Sequence, residues 1–253
     1  MNVAIVIDIF HDKGNGTSMS ARHLVENLVE RGIGVKVLCD NAGQQNETMQ
    51  GVEFVTFPIQ QVPIYQKVIE QQHAWLASPN DARIKEALKD VDLVHIYMPF
   101  ALGTHCARIA HELKIPVLGC YHVSAENITF NAKMKYIPGA TPAMYELLKV
   151  YHYKPEWINN IHCPSRCIAS TLMGHLYNQN LHVISNGYDP AFKRIDNVKI
   201  PDGCEDKVIV TSVGRLTEEK RQDLIIKAVA KSKYRDRISL FLAGKGPKQE
   251  EYE

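Results

Sequence analysis

Short β-branched and apolar runs alternate along this chain with segments whose apolar residues recur at helical spacing. Val3–Ile7, Gly34–Leu38, Val52–Phe57, Leu93–Tyr97, Val117–Tyr121, Asn160–Pro164 and His182–Ile184 are the runs before residue 189. Between the first two, Leu24, Val25, Leu28 and Val29 mark the buried face of a helix that Ser18 or Ser20 begins and Gly32 ends. Further helices are expected over Ile64–Ala77, Asn80–Leu88, from the Pro99–Gly103 segment to Leu113, and from a Ser165 cap to His175. Strand–helix–strand alternation predicts an α/β fold, a parallel sheet flanked by helices.

A second such unit opens at residue 207. Val208–Val213 reads as a buried parallel strand, and Gly214 and Arg215 end it. Thr217 is placed to cap a helix whose buried face is Leu224, Ile225, Ala228 and Val229, with Glu218 and Glu219 in its first turn. Lys220 then falls at the third helical position, where a capping box has Glu or Gln, and it opposes the helix dipole by roughly 0.3–1 kcal/mol. With Arg215 it sets two cations at a strand-to-helix turn, whose backbone N–H groups attract anions. Such a turn grips a phosphate or diphosphate; a solvated Lys beside an Arg paired to Glu218 or Glu219 is the plainer explanation.

The string Val213-Gly-Arg-Leu-x-x-x-Lys220 followed by an amphipathic helix resembles the second half of family-4 retaining glycosyltransferases of the GT-B type. Leu242-Ala-Gly-Lys-Gly-Pro247 resembles that family's next strand and Gly-x-Gly-Pro turn, and Ser185-Asn-Gly-Tyr-Asp189 its Pro-Asn-Gly-Val-Asp. The resemblance implies a doubly wound Rossmann-like sheet and the beginning of a second Rossmann-like domain. It assigns Arg215 and Lys220 to the diphosphate of a nucleotide-sugar donor. It sets Gly16, within Asn15-Gly16, at a Gly-Gly position whose backbone approaches the same group. It gives His122, just past the Val117–Tyr121 run, contact with the donor sugar near the reacting carbon. Val123–Asn131 resembles the subset similar to diacylglycerol glucosyltransferases, which puts the acceptor near Glu126 and Asn127.

Residues 133 to 157 combine Lys133, Lys135, Lys149 and Lys154 with Tyr136, Tyr145, Tyr151, Tyr153 and Trp157. Bases with amphipathic aromatics suit a lipid headgroup surface. A helical lid explains them equally well, since Glu126, Glu146 and Glu156 leave little net charge.

Composition excludes other classes. Lys plus Arg is 29 and Asp plus Glu 28, so no electrostatic nucleic-acid partner is expected. No apolar run reaches the ~18 residues of a membrane span, and Met1 leads straight into a strand without a leader pattern, which together point to a cytoplasmic protein. Six scattered Cys fit a reducing compartment. Cys163-x3-Cys167 with His162 and His175 is poorly spaced for zinc, and no metal is expected. Gly14-x-Gly16-x-x-Met19 imitates a dinucleotide fingerprint but lacks its third glycine, so no resident cofactor is expected.

Domains are expected at 1–189 and 207–253, joined by a linker at 190–206 that holds Pro201 and Gly203. The family's Glu-x7-Glu motif and its final crossing helix do not follow residue 207, so the expectation is a piece of a longer transferase with little or no turnover of its own. The function expected is hexose transfer from a donor such as UDP-glucose or GDP-mannose to a lipid or saccharide hydroxyl, with retention and without metal. The membrane contact expected is peripheral. The alternative is a non-catalytic module that binds an acceptor or partner.

Overall fold

The computed structural model of the protein describes residues 1–41, 48–61, 75–134, 136–188, 192–196 and 198–253. The chain divides into two compact units, Met1–Asp189 and Pro190–Glu253.

Among the described residues the first unit is built on a seven-stranded sheet in the order β3-β2-β1-β4-β5-β6-β7. Its strands are β1 (Asn2–Val6), β2 (Gly34–Asp40), β3 (Val52–Phe57), β4 (Leu93–Ile96), β5 (Val117–Cys120), β6 (Asn160–Cys163) and β7 (Asn180–Val183). Every pairing between them is parallel. The helices are α1 (Gly16–Glu30), α2 (Asp81–Ala87), α3 (Ala101–Glu112), α4 (Ala125–Asn131), α5 (Ala140–Leu147), which runs into a π-type turn over Leu148–His152, and α6 (Arg166–Gly174). Alternate residues of β1 enter different cores, as a strand's two-residue period requires. Val3 and Ile5 pack with Ala21 and Val25 of α1. Ala4 and Val6 pack with Ile84 of α2, Leu102 and Ile109 of α3, Tyr145 of α5 and Leu172 of α6. Helices on both faces make the sheet doubly wound. Each fully buried aliphatic side chain contributes about 1.5–3 kcal/mol.

Helix starts follow cap chemistry. Asn15, Asn80, Ser124 and Ser165 each accept a hydrogen bond from a first-turn N–H, worth about 1 kcal/mol apiece. Helix α1 therefore begins at Gly16, before the expected Ser18 or Ser20: Asn15 captures the Thr17 N–H at 2.9 Å, and Ser18 is buried with its hydroxyl on the Phe10 carbonyl at 2.6 Å. Gly32, at φ +73°, follows the Arg31 cap as expected of a helix stop. Most of the expected Ile64–Ala77 helix lies outside the described residues. Its last residues are not helical: Ala77 pairs antiparallel with Ile59, and Ser78 N donates to Pro58 O at 2.7 Å.

Among the described residues the second unit holds two parallel strands, β8 (Val208–Val213) and β9 (Ile238–Ala243), with α7 (Gln222–Lys231) and a short α8 (Gln249–Tyr252). The expectation of a buried strand fails here. Val213 is 81% exposed and Leu224 of α7 is 51% exposed, because β8 has β9 as its one partner strand and a two-stranded sheet covers little.

Asp8 follows β1 at the carboxyl edge and is fully buried. Its Oδ1 accepts the Ala77 N–H at 2.9 Å, while Oδ2 has no partner among the described residues. Burial, with a smaller contribution from neighbouring Asp40, pushes the carboxyl from 3.8 up to about 7. The fold then holds a proton that the unfolded chain releases, so stability declines as pH rises from near 4 to near 7 and stays reduced above. Asp8→Asn keeps the Oδ1 acceptor and abolishes this titration. Its stability advantage over the parent should widen by on the order of 2 kcal/mol between pH 5 and pH 8. Urea unfolding at both pH values measures the gap, and a constant gap would contradict a protonated Asp8.

Candidate active site

The strand order reverses direction of travel between β1 and β4. Ligands of open α/β sheets bind outside the carboxyl ends of strands near such a point. Gly16 lies there as the first residue of α1, exposed and with open space where a side chain would stand. The first N–H groups of a helix have no intrahelical acceptor, so this end offers donors to an anion.

His122 stands two residues past β5 and is half-buried. Its ring stacks on Tyr97, with centroids 5.1 Å apart and planes 7° apart, and meets the His162 ring edge-on at 5.9 Å. Its Nε2 is buried and has no hydrogen-bond partner among the described residues. Burial, then the proximity of His162, pushes its pKa down to about 4. A neutral imidazole can accept or donate one hydrogen bond to a sugar without adding positive charge.

Next to His122 lies a group that the sequence did not bring together, although it named His162. The register pairs Cys120 with His162 across β5 and β6, and His95 reaches the same face from β4. Cys120 Sγ is 3.1 Å from His95 Nε2 and 2.8 Å from His162 Nδ1, and His162 Nε2 donates to the Ile184 carbonyl at 2.7 Å. Burial, then His162 and His122, hold His95 down to about 3, and burial raises Cys120 well above the usual thiol range. The three lie 25 and 42 residues apart, so no local motif announces them. Of the four residues the sequence offered for zinc, His162 alone belongs to this group: Cys163 is in the opposite core, Cys167 is exposed, and the His175 ring stacks on Tyr145 at 3.7 Å.

Glu126 and Asn127 occupy the first turn of α4 and are exposed. Both Glu126 carboxylate oxygens accept from the buried Tyr145 hydroxyl, at 3.0 and 2.8 Å, which braces α4 against α5. The mixed basic–aromatic segment divides. Tyr145 and Tyr153 are core residues, whereas Tyr136 is 82% and Tyr151 63% exposed, with Ile137, Leu147 and Val150 exposed beside them in sequence. Lys149 pairs with Glu146 at 2.7 Å, and Lys154 lies over the Trp157 ring at 4.6 Å. Lys135 is outside the described residues.

In the second unit, Arg215 and Lys220 follow the carboxyl end of β8. The turn that carries them is held by backbone: Gly214 N donates to Ala243 O, and Leu216 N to Lys245 O, both at 3.0 Å. A Cβ on Gly244 would collide with the Gly214 carbonyl, and one on Gly246 with the Leu216 carbonyl. Both glycines of the Gly-x-Gly-Pro turn are thus required by close backbone approach. The expected helix register is corrected. Residues Glu218–Lys220 form a 3₁₀ turn, Thr217 makes no side-chain cap, and Arg221 at φ +53° breaks the path, so α7 starts at Gln222. Gln222 is buried and donates to the Arg215 carbonyl at 2.9 Å, a positioning contact that the sequence did not reveal. Lys220 is exposed, precedes the helix rather than sitting inside its first turn, and lies 3.8 Å from Glu219.

The fold is of the GT-B glycosyltransferase class. Over 99% of this chain it is similar to a lipopolysaccharide-biosynthesis glycosyltransferase, WaaG (TM-score 0.60, 17% identity, 65% of that chain), and to S. aureus TarM (TM-score 0.57, 10% identity, 73% of that chain). The family model described as Glycosyltransferase Family 4 matches residues 14–192, and that of Glycosyl transferases group 1 matches residues 195–253. The chain belongs to Glycosyltransferase Family 4. It is 27% identical to a GDP-mannose-dependent alpha-mannosyltransferase of Corynebacterium glutamicum and 26% identical to an alpha-monoglucosyldiacylglycerol synthase of Streptococcus pneumoniae. Each alignment covers 98% of this chain, which spans 58% and 56% of the relatives' lengths.

If close backbone approach locks the turn, Gly244→Ala should speed amide hydrogen exchange at Gly214 and Leu216. Gly174→Ala, at a glycine with no atom in reach of a new Cβ, should leave both rates unchanged. Equal protection in the two variants would show that the glycines are not needed for this contact.

Proposed function

We propose that this chain serves hexose transfer from a nucleotide sugar to an acceptor hydroxyl, with retention at the anomeric carbon. The observation that carries the proposal is the Gly214–Leu216 turn, bonded backbone-to-backbone to Ala243 and Lys245, with Arg215 on it and Lys220 one short turn beyond. Arg215 is set on a backbone-bonded strand end, so its placement costs little at the moment of reaction. In this reading Arg215 and Lys220 neutralise the departing diphosphate, which is the main electrostatic demand of the step, and metal is not needed there. Gly16 adds backbone N–H donors. Neutral His122 contacts the donor sugar near the reacting carbon through its carbonyl or ring, without repelling positive charge that develops on the sugar.

Residues 1–189 bear the acceptor side, 207–253 the donor side, and 190–206 join them. Both curated relatives are named for alpha-linked products. Nucleotide sugars such as UDP-glucose and GDP-mannose are alpha-linked donors, which supports retention. Lys220→Ala in the full-length protein should lower kcat about 100- to 1,000-fold, the cost of losing one contact to developing charge. Arg215→Ala should act similarly. Initial rates with each donor measure this, and turnover within about twofold of the parent would dismiss the diphosphate role.

The acceptor proposed is a glycerolipid hydroxyl near Glu126 and Asn127, with peripheral attachment at a cytoplasmic membrane surface. Exposed Tyr136, Ile137, Leu147, Val150 and Tyr151 support it, since aromatic and aliphatic side chains near lysines favour a lipid interface. Among the described residues no helix is long and apolar enough to cross a membrane. The double variant Tyr136→Ala/Tyr151→Ala should lose at least about tenfold in partitioning to anionic vesicles. Sedimentation with phosphatidylglycerol vesicles tests this; unchanged partitioning would favour a lid or a saccharide acceptor instead.

A further inference from the structure

We propose that His95, Cys120 and His162 form a metal site for a zinc-class divalent ion. Their candidate ligand atoms all lie within 4.8 Å of one another, and all three residues are buried. Each comes from a different strand of three adjacent ones, so the sheet itself holds the set together. Thiolate and two imidazoles are the donor types that borderline-soft ions prefer.

The surroundings match what metal ligands need. His162 Nε2 donates to the Ile184 carbonyl at 2.7 Å. That bond selects the tautomer whose Nδ1 lone pair faces Cys120, the outer-shell orientation usual for a metal-bound histidine. The Cys120 carbonyl accepts the buried Tyr153 hydroxyl at 2.7 Å, which fixes the backbone that carries the sulfur. Tetrahedral zinc with ordinary bond lengths separates sulfur and nitrogen ligands by about 3.6 Å. The present separations of 3.1 and 2.8 Å need only open by less than 1 Å to admit the ion. Binding removes the Cys120 thiol proton and uses the lone pairs on His95 Nε2 and His162 Nδ1. His122 borders the set, its ring edge-on to His162 with centroids 5.9 Å apart, and its buried Nε2 has no hydrogen-bond partner among the described residues.

The alternative occupant of this geometry is a neutral hydrogen-bond chain, His95 N–H to Cys120 sulfur and Cys120 S–H to His162. Cobalt separates the two. Chelator-stripped protein is titrated with Co²⁺, which reports thiolate ligation as an intense near-ultraviolet band and four-coordination as strong visible bands. The bands should saturate near one equivalent, and Zn²⁺ should bleach them by displacement. Cys120→Ser should abolish the ultraviolet band and weaken Zn²⁺ binding at least about 100-fold. His162→Asn should weaken it comparably and provides the same comparison if Cys120→Ser does not fold. Cys167→Ser, which removes the exposed thiol, should change neither. Absence of saturable thiolate-bearing Co²⁺ spectra, persistence of the band in Cys120→Ser, or its loss in Cys167→Ser would overturn the site and leave the hydrogen-bond chain as its explanation.

Discussion

Parallel hydrogen-bonded register between β4, β5 and β6 is the constraint on which the first unit's chemistry rests. It pairs Cys120 with His162 and brings His95 to the same face. It also ends β5 so that His122 emerges at the carboxyl edge, stacked on Tyr97. A shift of one residue in any of these strands would turn its polar side chain into the opposite, helix-covered core. Imidazoles and a thiol would then face Leu102 and Ile109, at the cost of unpaired buried polar groups. The carbonyl and hydroxyl partners at Ile184 and Tyr153 reinforce the register by satisfying polar atoms in one arrangement.

The second unit positions the Arg215 backbone by different means. Its strands are exposed or half-buried, and its buried residues are few: Cys204, Leu216, Thr217 and Gln222 are among them. Order at Arg215 comes from main-chain hydrogen bonds and from two glycines that let adjacent turns touch. Gln222 extends the same logic by tying the start of α7 to the Arg215 carbonyl. The scaffold of this turn is the edge of a strand pair.

Much of this was legible in residue order. All eight strand runs before β9 fall within two residues of β1 to β8, since β-branched runs between amphipathic helices admit few alternatives. The cap at Ser165, the stop at Gly32 and the presence of the Gly-x-Gly-Pro turn belong to local stereochemistry, which sequence reports well. The misreadings have equally local causes. Asn15 outcompeted Ser18 as a cap because Ser18 had a buried carbonyl to satisfy. Arg221 adopted a left-handed conformation that few non-glycine residues take, which moved the start of α7 by several residues.

The order of residues determined the α/β class, the placement of Arg215 and Lys220 after a late strand, and the position of His122 beyond β5, because each follows from periodicity and motifs within a few residues. Tertiary structure alone decided which distant side chains meet: His95 with Cys120 and His162, Glu126 with Tyr145, Asp8 with the Ala77 amide. It also decided which aromatics of the 133–157 segment are core and which are exposed. Such partnerships depend on the lateral order of strands and on helix packing, and neither is written in the spacing of residues along one segment.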